Sequence, residues 1–106
     1  MMDEQSFYIY ILHSIKSDKY YVGYSSDPVR RLSEHNTKPF NTYTSKFRPW
    51  ELRAHFYCGK DEKMAIKLER FIKQQKSRKL LEQLCSPSFS PCGFLAHLVR
   101  VPYTRD

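Results

Sequence analysis

Tyr10 and Tyr21 lie in two short runs, Phe7-Tyr8-Ile9-Tyr10-Ile11-Leu12 and Tyr20-Tyr21-Val22-Gly23-Tyr24, and the stretch that follows places Arg31 and His35 four residues apart. Two phenols, a guanidinium and an imidazole in that order suggest a site that cuts phosphodiesters. Such a hydrolysis needs an activated water, donors for the charge growing on the phosphoryl oxygens, and help for the departing oxyanion. A phenol with its ordinary pKa of about 10 is a poor base at neutral pH, so a nearby cation or a metal-bound hydroxide must assist it. Arg31 is one such cation, and its planar fork suits non-bridging phosphate oxygens better than an ammonium does. His35, one helical turn further on, could contact the phosphate or the leaving group.

Three strands and three helices must hold these groups. Residues 7–12 alternate Phe7, Ile9 and Ile11 on one face with Tyr8, Tyr10 and Leu12 on the other, so both faces of that strand are apolar. Residues 20–25 read as its antiparallel partner across the polar connection 13–19. A hairpin closing about Ile15 and Lys16 sets Tyr10 opposite Tyr21 and Tyr8 opposite Gly23. Asp27-Pro28 starts a helix that Asn36 and Pro39 bracket, with Val29 and Leu32 inward and Arg30 paired with Glu34. A Thr/Ser/Asn/Pro loop follows, then a third strand over 51–57. Asp61 caps a long helix whose inward stripe is Met64, Ala65, Leu68, Phe71 and Ile72, and Ser77 caps a short one. Residues 94–101 are apolar without a helical or strand period. The expected fold class is α/β, a small, mostly antiparallel three-stranded sheet flanked by helices.

At 106 residues the chain reads as one domain, able to bury roughly two thirds of the surface its unfolded form exposes. Eighteen Lys and Arg against eleven Asp and Glu give a net charge of +7, which favours polyanions such as nucleic acid through counterion release. Lys46, Arg48, Lys73 and Lys76 flank the loop and the long helix and are the residues expected along a nucleic-acid path, while Trp50 reads as a core anchor. The amino terminus has no signal-peptide pattern, no run approaches the ~20 apolar residues of a membrane span, and Cys58, Cys85 and Cys92 lack zinc-ligand or CxxC spacing. A reducing cytoplasm is the expected location.

The ordered set of groups resembles the GIY-YIG nuclease family. The first motif corresponds to Tyr8-Ile9-Tyr10, the second to Tyr21-Val22-Gly23, the arginine of the next helix to Arg31, and the glutamate of a later helix to Glu69. The resemblance runs from residue 7 to 84 and is closest to small stand-alone members, whose middle reads like Arg48-Pro49-Trp50-Glu51-Leu52. Tyr8 stands where the family's naming glycine falls. No asparagine follows Glu69 as in many larger members, the amides there being Gln74, Gln75 and Gln83.

The resemblance implies a metal-dependent endonuclease with one Mg²⁺ or Mn²⁺ on Glu69, which would stabilise the leaving oxygen. Either Tyr10 or Tyr21 would be the general base, with the other as its hydrogen-bonding partner. It divides the chain into an N-terminal extension (1–6), a nuclease-like domain (7–84) and a C-terminal extension (85–106) of uncertain structure. Larger members append a recognition domain that this chain has no space for, so sequence specificity is expected to be low or supplied by a protein partner, and the substrate to be DNA in preference to RNA. The rival readings are a non-catalytic nucleic-acid-binding module on the same fold and a protein-interaction module with incidental charge.

Overall fold

The computed structural model describes residues 5–39 and 43–102. Two strands open the chain, β1 (Tyr8–Ser14) and β2 (Lys19–Ser25), followed by α1 (Pro28–Thr37), a 3₁₀ turn at Thr44–Phe47, and β3 (Glu51–Tyr57). Then come α2 (Glu62–Gln74), α3 (Arg78–Cys85), a second 3₁₀ turn at Gly93–His97, and β4 (Val99–Arg100). The sheet is antiparallel, in the order β2-β1-β3-β4.

The expected three-stranded sheet is therefore corrected to four strands. β4 pairs Arg100 with Phe56 and Val99 with Tyr57. Two residues are too few for a period to show, so pairing alone defines this strand. Arg100 anchors it: the guanidinium lies 4.7 Å over the Phe56 ring and donates to the carbonyls of Leu84 and Ser86 at 2.8 Å. Leu95 and Leu98, from the segment without a period, are buried in the main core.

The hairpin register differs from the expectation by two residues. Tyr10 pairs with Gly23, Leu12 with Tyr21 and Tyr8 with Ser25. His13 and Ser14 belong to the strand and not to the turn, and both are buried. The turn closes late because Asp18 takes a left-handed φ of 54°, which Asp tolerates better than most residues, and its N–H returns to the Ser14 carbonyl at 2.6 Å. A shift of two preserves strand parity, so Tyr10 and Tyr21 still share a face.

The two sides of the sheet carry separate cores. Ile9, Ile11 and Val22 pack with Ala65, Leu68 and Ile72 of α2, whereas Tyr10 and Leu12 pack with Trp50, Leu52 and, from α1, Leu32. Strict alternation would put Leu52 and Ala54 on one side. A bulge opposite Ile11/Leu12 inserts Arg53 and sends them to opposite cores. In α1 the inward positions are Pro28, Leu32 and His35, at i, i+4 and i+7, and Val29 is 62% exposed, contrary to its expected inward place. Among the described residues no helix is long and apolar enough to cross a membrane.

Candidate active site

The site begins with a glycine. Gly23 lies opposite Tyr10 in the sheet, and the Tyr10 ring leans into the space a side chain at position 23 would fill: a Cβ there would stand 2.5 Å from the hydroxyl oxygen and 2.6 Å from Cζ. Only glycine lets the phenol cross the sheet to α1. There the hydroxyl lies 3.0 Å from His35 Nε2, and His35 Nδ1 lies 3.0 Å from Thr44 Oγ1. All three side chains are buried. Burial, with the Arg31 charge adding, lowers the His35 pKa to about 4, so the ring is neutral and one of its nitrogens accepts while the other donates. Burial foremost, with the charges of Tyr21 and Glu69 adding, raises Tyr10 to about 12 against the pull of Arg31. Tyr10 thus keeps its proton at neutral pH.

α1 is pinned at both ends, which fixes Arg31 and His35. At its start Ser25 Oγ accepts from the Asp27 N–H at 2.9 Å and the Asp27 carboxylate caps the Arg30 N–H at 3.1 Å. At its end the Arg48 Nε donates to the His35 carbonyl at 2.5 Å, and its fork also donates to the Lys38 carbonyl. The Asn36 amide clamps the Trp50 backbone, donating to its carbonyl at 3.0 Å and accepting from its N–H at 2.7 Å. Trp50 is buried as expected, its indole N–H donating to the Thr44 carbonyl at 2.7 Å. The loop residue that holds His35 is therefore itself held.

Tyr21 differs from Tyr10 in exposure. It is half-buried, its ring 4.9 Å edge-on to His35 and 6.3 Å from both Tyr10 and Trp50, and it lines two adjoining cavities. The smaller, about 200 Å³, also exposes Arg31, His35, Lys38 and Arg48. Arg31, whose charge acts on Tyr10, pairs with Glu34 at 2.5 Å, replacing the expected Arg30–Glu34 pair; Glu34 is thereby held below its ordinary pKa. From the other side α2 packs along β2 and brings Glu69, whose charge acts on Tyr10 and Tyr24, and Lys73, which lies 3.5 Å from Glu69 and 5.5 Å over the Tyr21 ring.

Tyr10, Tyr21, Arg31, His35 and Glu69 thus converge from β1, β2, α1 and α2 on one edge of the sheet. The four basic residues expected along a nucleic-acid path are placed differently from one another. Lys73 and Lys76 line the larger cavity, Arg48 lines the smaller with its donors on backbone carbonyls, and Lys46 is exposed in the first 3₁₀ turn. Sequence reasoning missed Thr44, Asn36 and Glu34 as supports of the site, and matched Gly23 with the wrong tyrosine. A glycine inside a strand is itself a signal of close approach by another group.

Among the described residues no group of three or more His, Cys, Asp or Glu is gathered as a metal cage. A single half-buried carboxylate such as Glu69, paired among the described residues only with the half-exposed Lys73, is the sparse kind of ligand that suits a hard divalent ion keeping most of its waters. The donor set fits that kind of ion and no thiol- or imidazole-rich alternative.

Paired phenols, an arginine fork and a lone carboxylate at one sheet edge are the outline of a small α/β domain built to handle phosphodiesters. The family model described as the GIY-YIG catalytic domain matches residues 6–82, and the chain belongs to the GIY-YIG nuclease family. Nucleases of this family generally depend on a divalent metal. The chain is 32% identical over 74 residues to the "Structure-specific endonuclease subunit SLX1 homolog 1" of Trypanosoma cruzi (strain CL Brener), a match covering 64% of this chain and 14% of that protein. It is 33% identical over 67 residues to the "Structure-specific endonuclease subunit SLX1" of Debaryomyces hansenii, covering 58% of this chain and 19% of the relative. The matched region is thus a small part of each relative's length.

Proposed function

We propose that this protein is an endonuclease that hydrolyses phosphodiester bonds in DNA, with one Mg²⁺ or Mn²⁺ held at Glu69 and little intrinsic sequence preference. The observation that supports this best is the convergence of Tyr21, Arg31 and His35 on one open cleft, with the Glu69 charge acting on Tyr10 beside them. The two phenols take different parts. Tyr10, buried and protonated at neutral pH, is the phenol that hydrogen-bonds His35 and holds its ring in place. Tyr21, open to the cleft, is the phenol that meets the attacking water, and it takes the water's proton in its phenolate form, having first given up its own proton to solvent. Arg31 turns from Glu34 to the non-bridging oxygens, where a preorganised donor of this kind contributes on the order of a hundredfold or more in rate. A divalent ion on Glu69, when bound, supplies positive charge for the phosphoryl and leaving oxygens.

The relatives are named as subunits of structure-specific endonucleases. By that likeness we assign this chain a substrate chosen by strand structure and a protein partner that contributes specificity. The test is a gel assay of purified protein with single-stranded, duplex and branched DNA and with RNA, each with Mg²⁺ or Mn²⁺ and across a salt series. Glu69→Gln should abolish cleavage and retain binding, since it removes the charge and keeps the shape. Parental turnover by that variant moves the metal elsewhere; binding without cleavage by the parent protein under every condition favours a non-catalytic binding module.

A further inference from the structure

The larger cavity, about 490 Å³, opens beside the reactive one and shares Tyr21 and Tyr43 with it. Its volume falls within the range of small-molecule sites. It is lined in two halves. One is apolar and aromatic: Val22 and Ile72, both buried, and Leu81, with the rings of Tyr20, Tyr21 and Tyr43, the last 52% exposed. The other is mostly basic, carrying Lys73, Lys76 and Arg78 where α2 turns into α3, and Lys19 at the start of β2, with one acid, Asp18, among them.

The charges there are not equally engaged. Arg78 pairs with Asp18 at 2.6 Å and with Glu82 at 3.1 Å, and Lys73 with Glu69 at 3.5 Å. Lys76 and Lys19 have no carboxylate partner among the described residues, Lys19 resting 5.2 Å over the Phe47 ring. A cation row along an aromatic and apolar hollow matches the two faces of a nucleotide, whose phosphate is anionic and whose base stacks on rings. A base within a duplex is already stacked and paired, so only an unpaired one can enter such a hollow.

We infer that this cavity is a subsite for one unpaired nucleotide beside the scissile phosphate, with its base against Tyr21 and Tyr43 and its phosphates on Lys73, Lys76 and Arg78. The inference rests on the nuclease reading above and gives it a physical source of strand-structure preference. Tyr21 ties the two functions together, because the ring that forms one wall of the subsite also carries the hydroxyl that faces the water. A nucleotide seated in the hollow sets the position of its neighbouring phosphate over Arg31. Fully paired DNA leaves the hollow empty and loses that register.

The experiment uses the whole chain in EDTA, so that nothing is cut, with DNA duplexes that are fully paired or carry a short 5′ or 3′ single-stranded arm. The first unpaired base is 2-aminopurine. On binding, its fluorescence should fall by stacking, and the affinity ratio of armed to paired duplex should drop about tenfold in Tyr43→Ala. Leu81→Phe, which fills the apolar half and leaves Tyr43 in place, should lower the same ratio, with thermal melting confirming that each variant is folded. If the parent protein cleaves DNA but fluorescence is unchanged on binding and the ratio is the same in both variants, the subsite is refuted and the nuclease reading stands. If quenching and the ratio loss appear but Mg²⁺ and Mn²⁺ elicit no cleavage, the subsite stands and the nuclease reading falls.

Discussion

Adding one methyl group at Gly23 should disable the site without replacing any titratable residue. The Cβ of Gly23→Ala would lie 2.5 Å from the Tyr10 hydroxyl oxygen, about 0.9 Å inside ordinary contact at 3.4 Å. The ring has nowhere cheap to go. It is 1% exposed, packed with Leu12, Trp50 and Leu52, and its hydroxyl is held 3.0 Å from His35. Overpacking of this sort costs about 1–3 kcal/mol, against roughly 0.5–1 kcal/mol that alanine recovers over glycine in a strand. A net loss of about 1–2 kcal/mol corresponds to a melting point lower by roughly 5–15 °C in a domain this size. Displacing the Tyr10 hydroxyl by about 1 Å also disturbs Arg31 and His35 together, and misplacement on that scale costs about a hundredfold in rate. Melting and cleavage should be measured for Gly23→Ala, Tyr10→Phe and the double variant. Phenylalanine keeps Cζ, 2.6 Å from the new methyl, so the stability cost should persist in the double variant while the activity losses fail to add. Parental melting and parental cleavage by Gly23→Ala would refute the account of Gly23 as the space for Tyr10.

Three further outcomes are expected. Tyr21→Phe should melt like the parent and lose most cleavage, whereas Tyr10→Phe should also lose about 1 kcal/mol of stability by stripping the buried His35 ring of a hydrogen bond; equal cleavage by both variants and the parent would remove the phenols from the chemistry. The His35 pKa is about 4 when folded against about 6.5 unfolded, so its contribution is fully present above pH 6.5 and is lost as pH falls toward 4, about 3 kcal/mol in all. Chemical denaturation at a series of pH values should show that acid slope, and His35→Gln should flatten it. Lys76 holds a left-handed φ of 48°, so Lys76→Gly should raise stability by about 0.5–1 kcal/mol while reducing the salt slope of DNA binding by about 1, read from melting and from binding across a salt series.

What the sequence disclosed of the site was local. Arg31 and His35 share a helix face because four residues make a turn, and Glu69 and Lys73 meet for the same reason. Strand parity likewise put Tyr10 and Tyr21 on one face even though the register was off by two. What it hid was set at a distance or by single backbone angles. The register turned on the left-handed conformation of Asp18, and the fourth strand on a pairing two residues long. Thr44 meets His35 only because Asn36, Arg48 and Trp50 fasten the intervening loop to α1, and a run of Thr and Ser residues gives no hint which hydroxyl ends buried. Val29 looked as apolar as Pro28, and only the phase of α1 on the sheet turns it outward.

The site's charges form pairs that a phosphate can exchange. Arg31 is held by Glu34, Lys73 by Glu69, and Arg78 by Asp18 and Glu82, so in the free protein three of the four cations assigned to a phosphate have a carboxylate beside them, Lys76 being the exception among the described residues. These are partly exposed pairs whose individual worth is small, so replacing the carboxylate by a phosphate oxygen costs little. Their value lies in geometry, since a cation already ordered in a pair loses less freedom when the substrate arrives. The pair at Glu69 has a further consequence. A divalent ion held at Glu69, as proposed, would compete with Lys73 for that carboxylate, so occupation of the metal position and the grip on the neighbouring nucleotide would be coupled through one side chain. Lys73 also lies over the Tyr21 ring, so the same competition would alter the charge next to the phenol assigned to the water.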